Sequence, residues 1–114
     1  MTHIYKIVSQ SEWRAAEASG VFNGAAVDLA DGFIHFSAKE QAQETAAKYF
    51  AGRSDLLLVA VASAVLGEAL KWEVSRGGAL FPHLYAPLSL AAVARVHPLP
   101  LGGDGAHDFS AILK

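Results

Sequence analysis

The sequence predicts an α+β protein with a mostly antiparallel sheet, and three observations carry that expectation. Short β-branched and aromatic runs recur at 3–8, 33–36, 55–62, 70–74 and 91–99. Only two segments, 10–19 and 38–50, read as helices, and each follows a Ser-x-x-Glu capping box. The strands crowd into the second half, giving the order β-α-β-α-β-β-β, which suits α+β better than alternating parallel units.

Taken in order, the run from His3 to Val8 is a first strand. Ser9-x-x-Glu12 opens the first helix, Ala15, Ala16 and Ala18 favour it, and Gly20 suits its stop. Trp13 and Ala16 share the face that packs on the sheet. The stretch from Val21 to Ala30 has no clear period, holds Asn23-Gly24, and reads as a loop over a site. Gly32 then introduces a short strand through Phe36, and Ser37-x-x-Glu40 caps the second helix, which stops at Gly52. The near-continuous apolar run from Asp55 to Ala62 is a strand buried on both faces. Alternation in Leu70 to Val74 points Leu70, Trp72 and Val74 inward, and leaves Lys71 and Glu73 on a solvated face. Trp13 and Trp72 read as core. Pro82 and Pro87 argue against a central strand at Phe81 to Tyr85. Residues 1–101 form one domain. The Gly102-Gly103-Asp104-Gly105 break leaves 102–114 as a loosely attached tail.

Composition narrows the function classes. The 114 residues are 53% hydrophobic and only 18% charged, so the chain is globular with a substantial core. A net charge of −2 disfavours extended nucleic-acid binding and anionic membranes, both of which need a basic surface. No cysteine is present, which removes disulfides, zinc–thiolate sites and cysteine nucleophiles. The longest apolar run is too short to span a bilayer, and the chain opens on a strand pattern rather than a signal segment. A cytoplasmic location and no membrane partner are expected. The five histidines lack metal-ligand spacing, so no metal is expected. No P-loop, dinucleotide-binding glycine motif or Gly-x-Ser-x-Gly elbow occurs.

The site candidates gather where strand meets helix. Alternation places Phe33, His35 and Ser37 on one face, next to the amides of a helix start. His35 reads either as an acid–base or ligand-binding group or as a strand histidine satisfied by a carbonyl. Ser37 serves as an N-cap, a hydrogen-bond donor, or both. His83, flanked by Pro82 and Tyr85, suits a rigid pocket wall or a turn held by aromatic packing. Tyr5 and Tyr85 either stack on a ligand ring or sit in the core with the hydroxyl outward. Lys6 either binds a phosphate or reaches past apolar neighbours into water.

Five motifs together resemble one known family: Ile4-Tyr5-Lys6-Ile7-Val8, Trp13, Gly32-Phe33-Ile34-His35-Phe36-Ser37, Trp72-Glu73, and Leu80 through Leu88 with its Phe-Pro-His-Leu-Tyr core. They are similar to the small bacterial proteins grouped as domain of unknown function 952, over nearly the whole chain to about Leu99. That family in turn resembles the ADP-ribosyltransferase fold, a compact split β-barrel that grips NAD between two sheets. The resemblance implies that His35 takes the second position of the catalytic triad, and it matches the Ile-His-Leu-Ser of RNA 2′-phosphotransferases. The superfamily's first-strand histidine falls at Lys6, and an ammonium offers no acceptor nitrogen. Its late glutamate falls near Phe81 to His83, where this chain has none, which argues against ordinary protein ADP-ribosylation. The 2′-phosphotransferase chemistry instead uses cations on a phosphate, and Lys6, Arg53 and Arg76 are the ones available.

The expected function is a nucleotide or small-molecule pocket of glycosyl- or phosphotransferase type, with NAD as the candidate cofactor. His35 and His83 are the catalytic candidates, and Lys6, Ser37 and Tyr85 the cofactor-binding ones. The alternative is a catalytically inactive module on the same fold that binds a ligand or a protein. A homodimer through an exposed apolar segment is a third reading.

Overall fold

The computed structural model describes residues 2–110. Nine strands and three α-helices alternate as β1 (His3–Ser9), α1 (Gln10–Ser19), β2 (Val21–Phe22), α2 (Ala26–Asp31), β3 (Ile34–His35), β4 (Ser37–Ala38), α3 (Lys39–Tyr49), β5 (Leu56–Ala62), β6 (Leu70–Val74), β7 (Leu80–Leu84), β8 (Leu88–Ser89) and β9 (Val93–Pro98). Short 3-10 segments at Ser63–Ala69, Arg76–Gly78 and Leu90–Ala92 link the later strands. The fold is α+β, and every strand pairing is antiparallel.

Three sheets form where one was expected. Four strands lie in the order β4-β1-β5-β9, two in β2-β8, and three in β3-β7-β6, and among the described residues the sheets do not close into a barrel. The two layers of core follow from alternation along β1. Ile4 and Val8 point to one side, with Trp13, Phe22, Ile34, Phe36 and Leu84, between the four-stranded sheet and the two smaller ones. Tyr5 and Ile7 point to the other, with Ala42, Ala46, Leu58, Leu99 and Phe109, under α3. Lys6 belongs by its parity to the Ile4 and Val8 side.

Helix α1 starts and stops as its residues dictate. The Ser9 hydroxyl accepts from the Glu12 amide at 3.2 Å and donates to the Glu12 carboxylate at 2.8 Å, and Gly20 takes φ +84° to end the helix. Helix α3 starts one residue later than Ser37-x-x-Glu40 suggests. Ala38 is its cap residue, and the Gln41 side chain accepts from the Ala38 amide at 2.9 Å while donating to the Leu80 carbonyl at 2.7 Å. Glutamine thus fills the glutamate's part and also ties α3 to β7.

Several expectations are corrected. The stretch from Val21 to Ala30 is not a loop, since it contains β2 and most of α2. The strand expected from Phe33 through Phe36 ends at His35, and the next pairing is made in a different sheet. Ile34 and His35 pair with Leu84 and His83, whereas Ser37 and Ala38 pair with Tyr5 and Ile4. Strand β7 is central in its sheet despite Pro82. The proline fits because its carbonyl accepts from the Phe36 amide at 3.0 Å, at the point where β3 ends, so the missing N–H faces no continuing strand. Trp72 and Val74 are exposed, not core. Of the expected tail, residues 102–110 fold back. The Asp108 amide donates to the Pro100 carbonyl at 2.8 Å and Phe109 is buried, while 111–114 lie outside the described residues. No described helix is long and apolar enough to cross a membrane.

Candidate functional site

The cross-strand pair His35–His83 sits at the centre of the site. The Phe36 amide bonds to the Pro82 carbonyl, so the alternation of an antiparallel ladder makes His35 and His83 a non-hydrogen-bonded pair, the kind whose side chains approach most closely. Their rings lie 5.6 Å apart, edge to face. By the same alternation the His35 amide points away from β7, and it donates to the Asp28 carboxylate at 3.1 Å.

Asp28, which is not among the candidates read from the residues, is the hub of the first network. It stands in α2, is only 2% exposed, and accepts from four groups. Lys6 Nζ lies 3.0 Å from Oδ1 and 2.9 Å from Oδ2. His35 Nδ1 is 2.6 Å from Oδ1, the Ala25 amide 2.7 Å from Oδ2, and the His35 amide completes the set. Burial alone would raise the Asp28 carboxyl, but the bonds from His35 and Lys6 outweigh it and hold the pKa at about 2. Burial lowers the Lys6 ammonium from its usual range, against the pull of Asp28. Gly24 is the residue that lets the chain come this close. Its φ is +122°, and a Cβ there would fall 2.8 Å from the Asp28 Cβ. A signal existed in the Asp28-x-x-Asp31-Gly32 spacing, which puts two acids on one short helix that stops at a glycine.

The second network is built on the β6–β7 pair. Glu73 Oε1 lies 2.8 Å from His83 Nδ1 and accepts from the Tyr85 hydroxyl at 2.7 Å. The Tyr85 and His83 bonds lower the Glu73 carboxyl, and Glu73 in turn raises the Tyr85 phenol. Phe33 joins the two networks, with its ring 4.6 Å from His35, 4.1 Å from His83 and 5.2 Å from Tyr85. Asp31 Oδ2 sits 2.9 Å from His35 Nε2. Both nitrogens of His35 therefore face carboxylates, and a doubly protonated ring donates to both.

Of the five sequence candidates, the structure brings His35, His83 and Tyr85 together. Lys6 joins them only through Asp28, and it neither meets solvent nor stands free for a phosphate. Ser37 does not share the His35 face. It lies opposite Tyr5, whose side chain packs on the α3 side of the four-stranded sheet, and its hydroxyl is 3.1 Å from that of Thr45. Arg53 pairs with Asp55 beyond the end of α3, and the Arg76 side chain lies outside the described residues. No group of three or more histidines and acids among the described residues is arranged to hold a metal. A separate hollow of about 450 Å³ opens between α3 and the loop at 104–107, walled by Ala46, Ala47 and Ala51. Its one imidazole, His107, donates to the Arg53 carbonyl at 2.7 Å.

The fold and this site define a class: a small α+β protein in which two carboxylate-backed histidines face each other across a short ladder. The chain belongs to the family described as "Protein of unknown function (DUF952)", whose sequence model matches residues 7–96. The crystal structure of protein CC0527 from Caulobacter crescentus is 60% identical, with 98% of each chain covered and a TM-score of 0.94. Its V27M/L66M double mutant gives 58% identity and the same TM-score, and the solution structure of CC0527 gives 60% and 0.88, covering 97% of this chain and 96% of that one. None of the curated proteins compared with the chain matches it.

Proposed function

We propose that this protein binds a nucleoside-type small molecule, with NAD as the candidate, on the face of the β3–β7 ladder that carries His35 and His83. The reading extends to transferase chemistry of the glycosyl or phosphoryl kind on an ADP-ribosyltransferase-like fold. One observation supports it above the rest. Two imidazoles stand as cross-strand neighbours, each held at Nδ1 by its own carboxylate, with the exposed Asp31 at the Nε2 of His35. Phe33 and Tyr85 add the aromatic wall on which a base or nicotinamide ring can stack. Asp28, Asp31 and Glu73 outnumber Lys6, which favours a ligand rich in hydroxyl donors or carrying a cationic ring over a bare phosphate.

In this reading the two histidines exchange a proton with a bound hydroxyl or leaving group, and Tyr85 packs against the ligand. Lys6 holds Asp28 and touches no ligand, and Ser37 takes no part. Protein-observed NMR with NAD, ADP-ribose and a 2′-phosphorylated nucleotide tests it. Shifts centred on 33–35 and 83–85 are expected at millimolar ligand, and should vanish in His35→Ala. Silence with all three ligands removes the nucleotide reading.

The alternative, a binding module without turnover, is favoured by one specific contact. Asp31 already occupies the His35 Nε2 that acid–base chemistry would use. Turnover of NAD that is lost in His35→Ala rules that alternative out, whereas binding without turnover in both the natural chain and Asp31→Ala supports it.

A further inference from the structure

We infer that the free edge of β6 pairs antiparallel with β6 of a second copy, centred on Trp72, so that Lys71 of each copy meets Glu73 of the other. β6 is the outer strand of its sheet and bonds only to β7 among the described strands. The direction of its backbone groups is fixed by the ladder. The Ser75 amide bonds to the Ala79 carbonyl and the Tyr85 amide to the Ala69 carbonyl, so Lys71 and Glu73 face β7 and the N–H and C=O of Leu70, Trp72 and Val74 point outward. Pro82, opposite Trp72, has no N–H with which to take part in the ladder to β6, in keeping with that pattern.

An unpaired edge strand is ordinarily blunted or covered. Here Trp72 is 42%, Val74 70% and Leu80 51% exposed, and they stand on one face of the hairpin because Val74 lies opposite Leu80 and Trp72 opposite Pro82. The described chain leaves this face only partly covered. The occupant follows from register. Outward-pointing groups allow three self-pairings of the strand. Centring on residue 71 sets two lysines face to face, and centring on 73 sets two glutamates face to face, which destabilises. Centring on Trp72 pairs Leu70 with Val74, Trp72 with itself, and Lys71 with Glu73 twice. These last are non-hydrogen-bonded pairs, whose side chains come closest. A second copy of this chain therefore fits the edge in one register only.

The pairing does not depend on what the site binds, yet it reaches the site. Glu73 orients His83 and Tyr85, so Lys71 of the second copy comes to rest beside the second histidine network. The strand pair is small beside the ~800 Å² per partner of ordinary stable interfaces, so a weak, concentration-dependent dimer is expected.

Sedimentation of the full chain from micromolar to millimolar concentration tests this. The apparent mass is expected to rise from 12.0 kDa toward twice that value. Lys71→Glu alone and Glu73→Lys alone are each expected to stay monomeric, and an equimolar mixture of the two to associate, because every cross-pair is then of opposite charge. Val74→Pro removes an outward N–H without touching the β7 ladder and should also stay monomeric, with its circular dichroism unchanged. A natural chain that remains monomeric at millimolar concentration overturns the inference. So does a dimer that survives Lys71→Glu and Val74→Pro, since it would use another surface.

Discussion

The two histidine networks have the same parts and opposite settings. Asp28 is buried and takes bonds from Lys6, His35 and two amides, joining β1, α2 and β3. Glu73 is half-exposed and joins only the β6–β7 pair and the residue just beyond it. A buried carboxylate with a buried ammonium is a structural commitment, because neither ion can be removed without stranding the other. A half-exposed carboxylate holding a histidine can be removed and replaced by water. The first network therefore fixes where His35 stands, and the second sets how His83 and Tyr85 behave.

Asp28→Ala is the harshest way to break this contrast. It leaves Lys6 charged and unpaired in the core, and should cost about 3–5 kcal/mol in urea unfolding. Glu73→Ala in the same measurement should barely move the midpoint, and equal losses would abolish the distinction. Acid sharpens it next. Asp28 is held at about 2, below its ordinary 3.8, so folding favours the ionised form. The stabilisation is whole above 3.8 and drains away as pH falls through 3.8 toward 2, on the order of 2 kcal/mol in all. Lys6, lowered by burial, acts in the same sense at the alkaline end, because its unfolded form binds more protons. Asp28→Asn should flatten the acid limb, and an unaltered limb would place its origin elsewhere. Gly24→Ala probes the loop before α2, and should cost roughly 1–3 kcal/mol from a left-handed φ and a 2.8 Å clash. The smallest effect is spectroscopic. Glu73→Gln should let the Tyr85 phenol, now raised by that carboxylate, titrate nearer 10.0 in ultraviolet absorbance.

How much of this could be read from the residues differs between the two networks. His83, Tyr85 and the strand holding Glu73 carried local signals, namely alternation and aromatic clustering, although Glu73 itself read as a solvated face. The first network is non-local. Lys6 and Asp28 are 22 residues apart, and α2 is only six residues long, too short for a helical period to declare itself. Alternation placed Ser37 beside His35 because it assumes one continuous strand. It cannot see that the chain changes sheets at Phe36. The same blindness misplaced Trp72 and Val74, since alternation puts them on the face of Leu70 but does not tell how far along β6 the core extends. The Ser9-x-x-Glu12 box and the Gly20 stop, by contrast, are settled within one turn, and α1 appeared where its residues put it.

The ties of Asp28 all fall between Lys6 and His35, inside the first third of the chain. A polypeptide emerging from the ribosome holds both ends of that stitch before β5 exists. The opposing histidine arrives only with β7, so the pair is completed by a segment made late onto a scaffold laid down early.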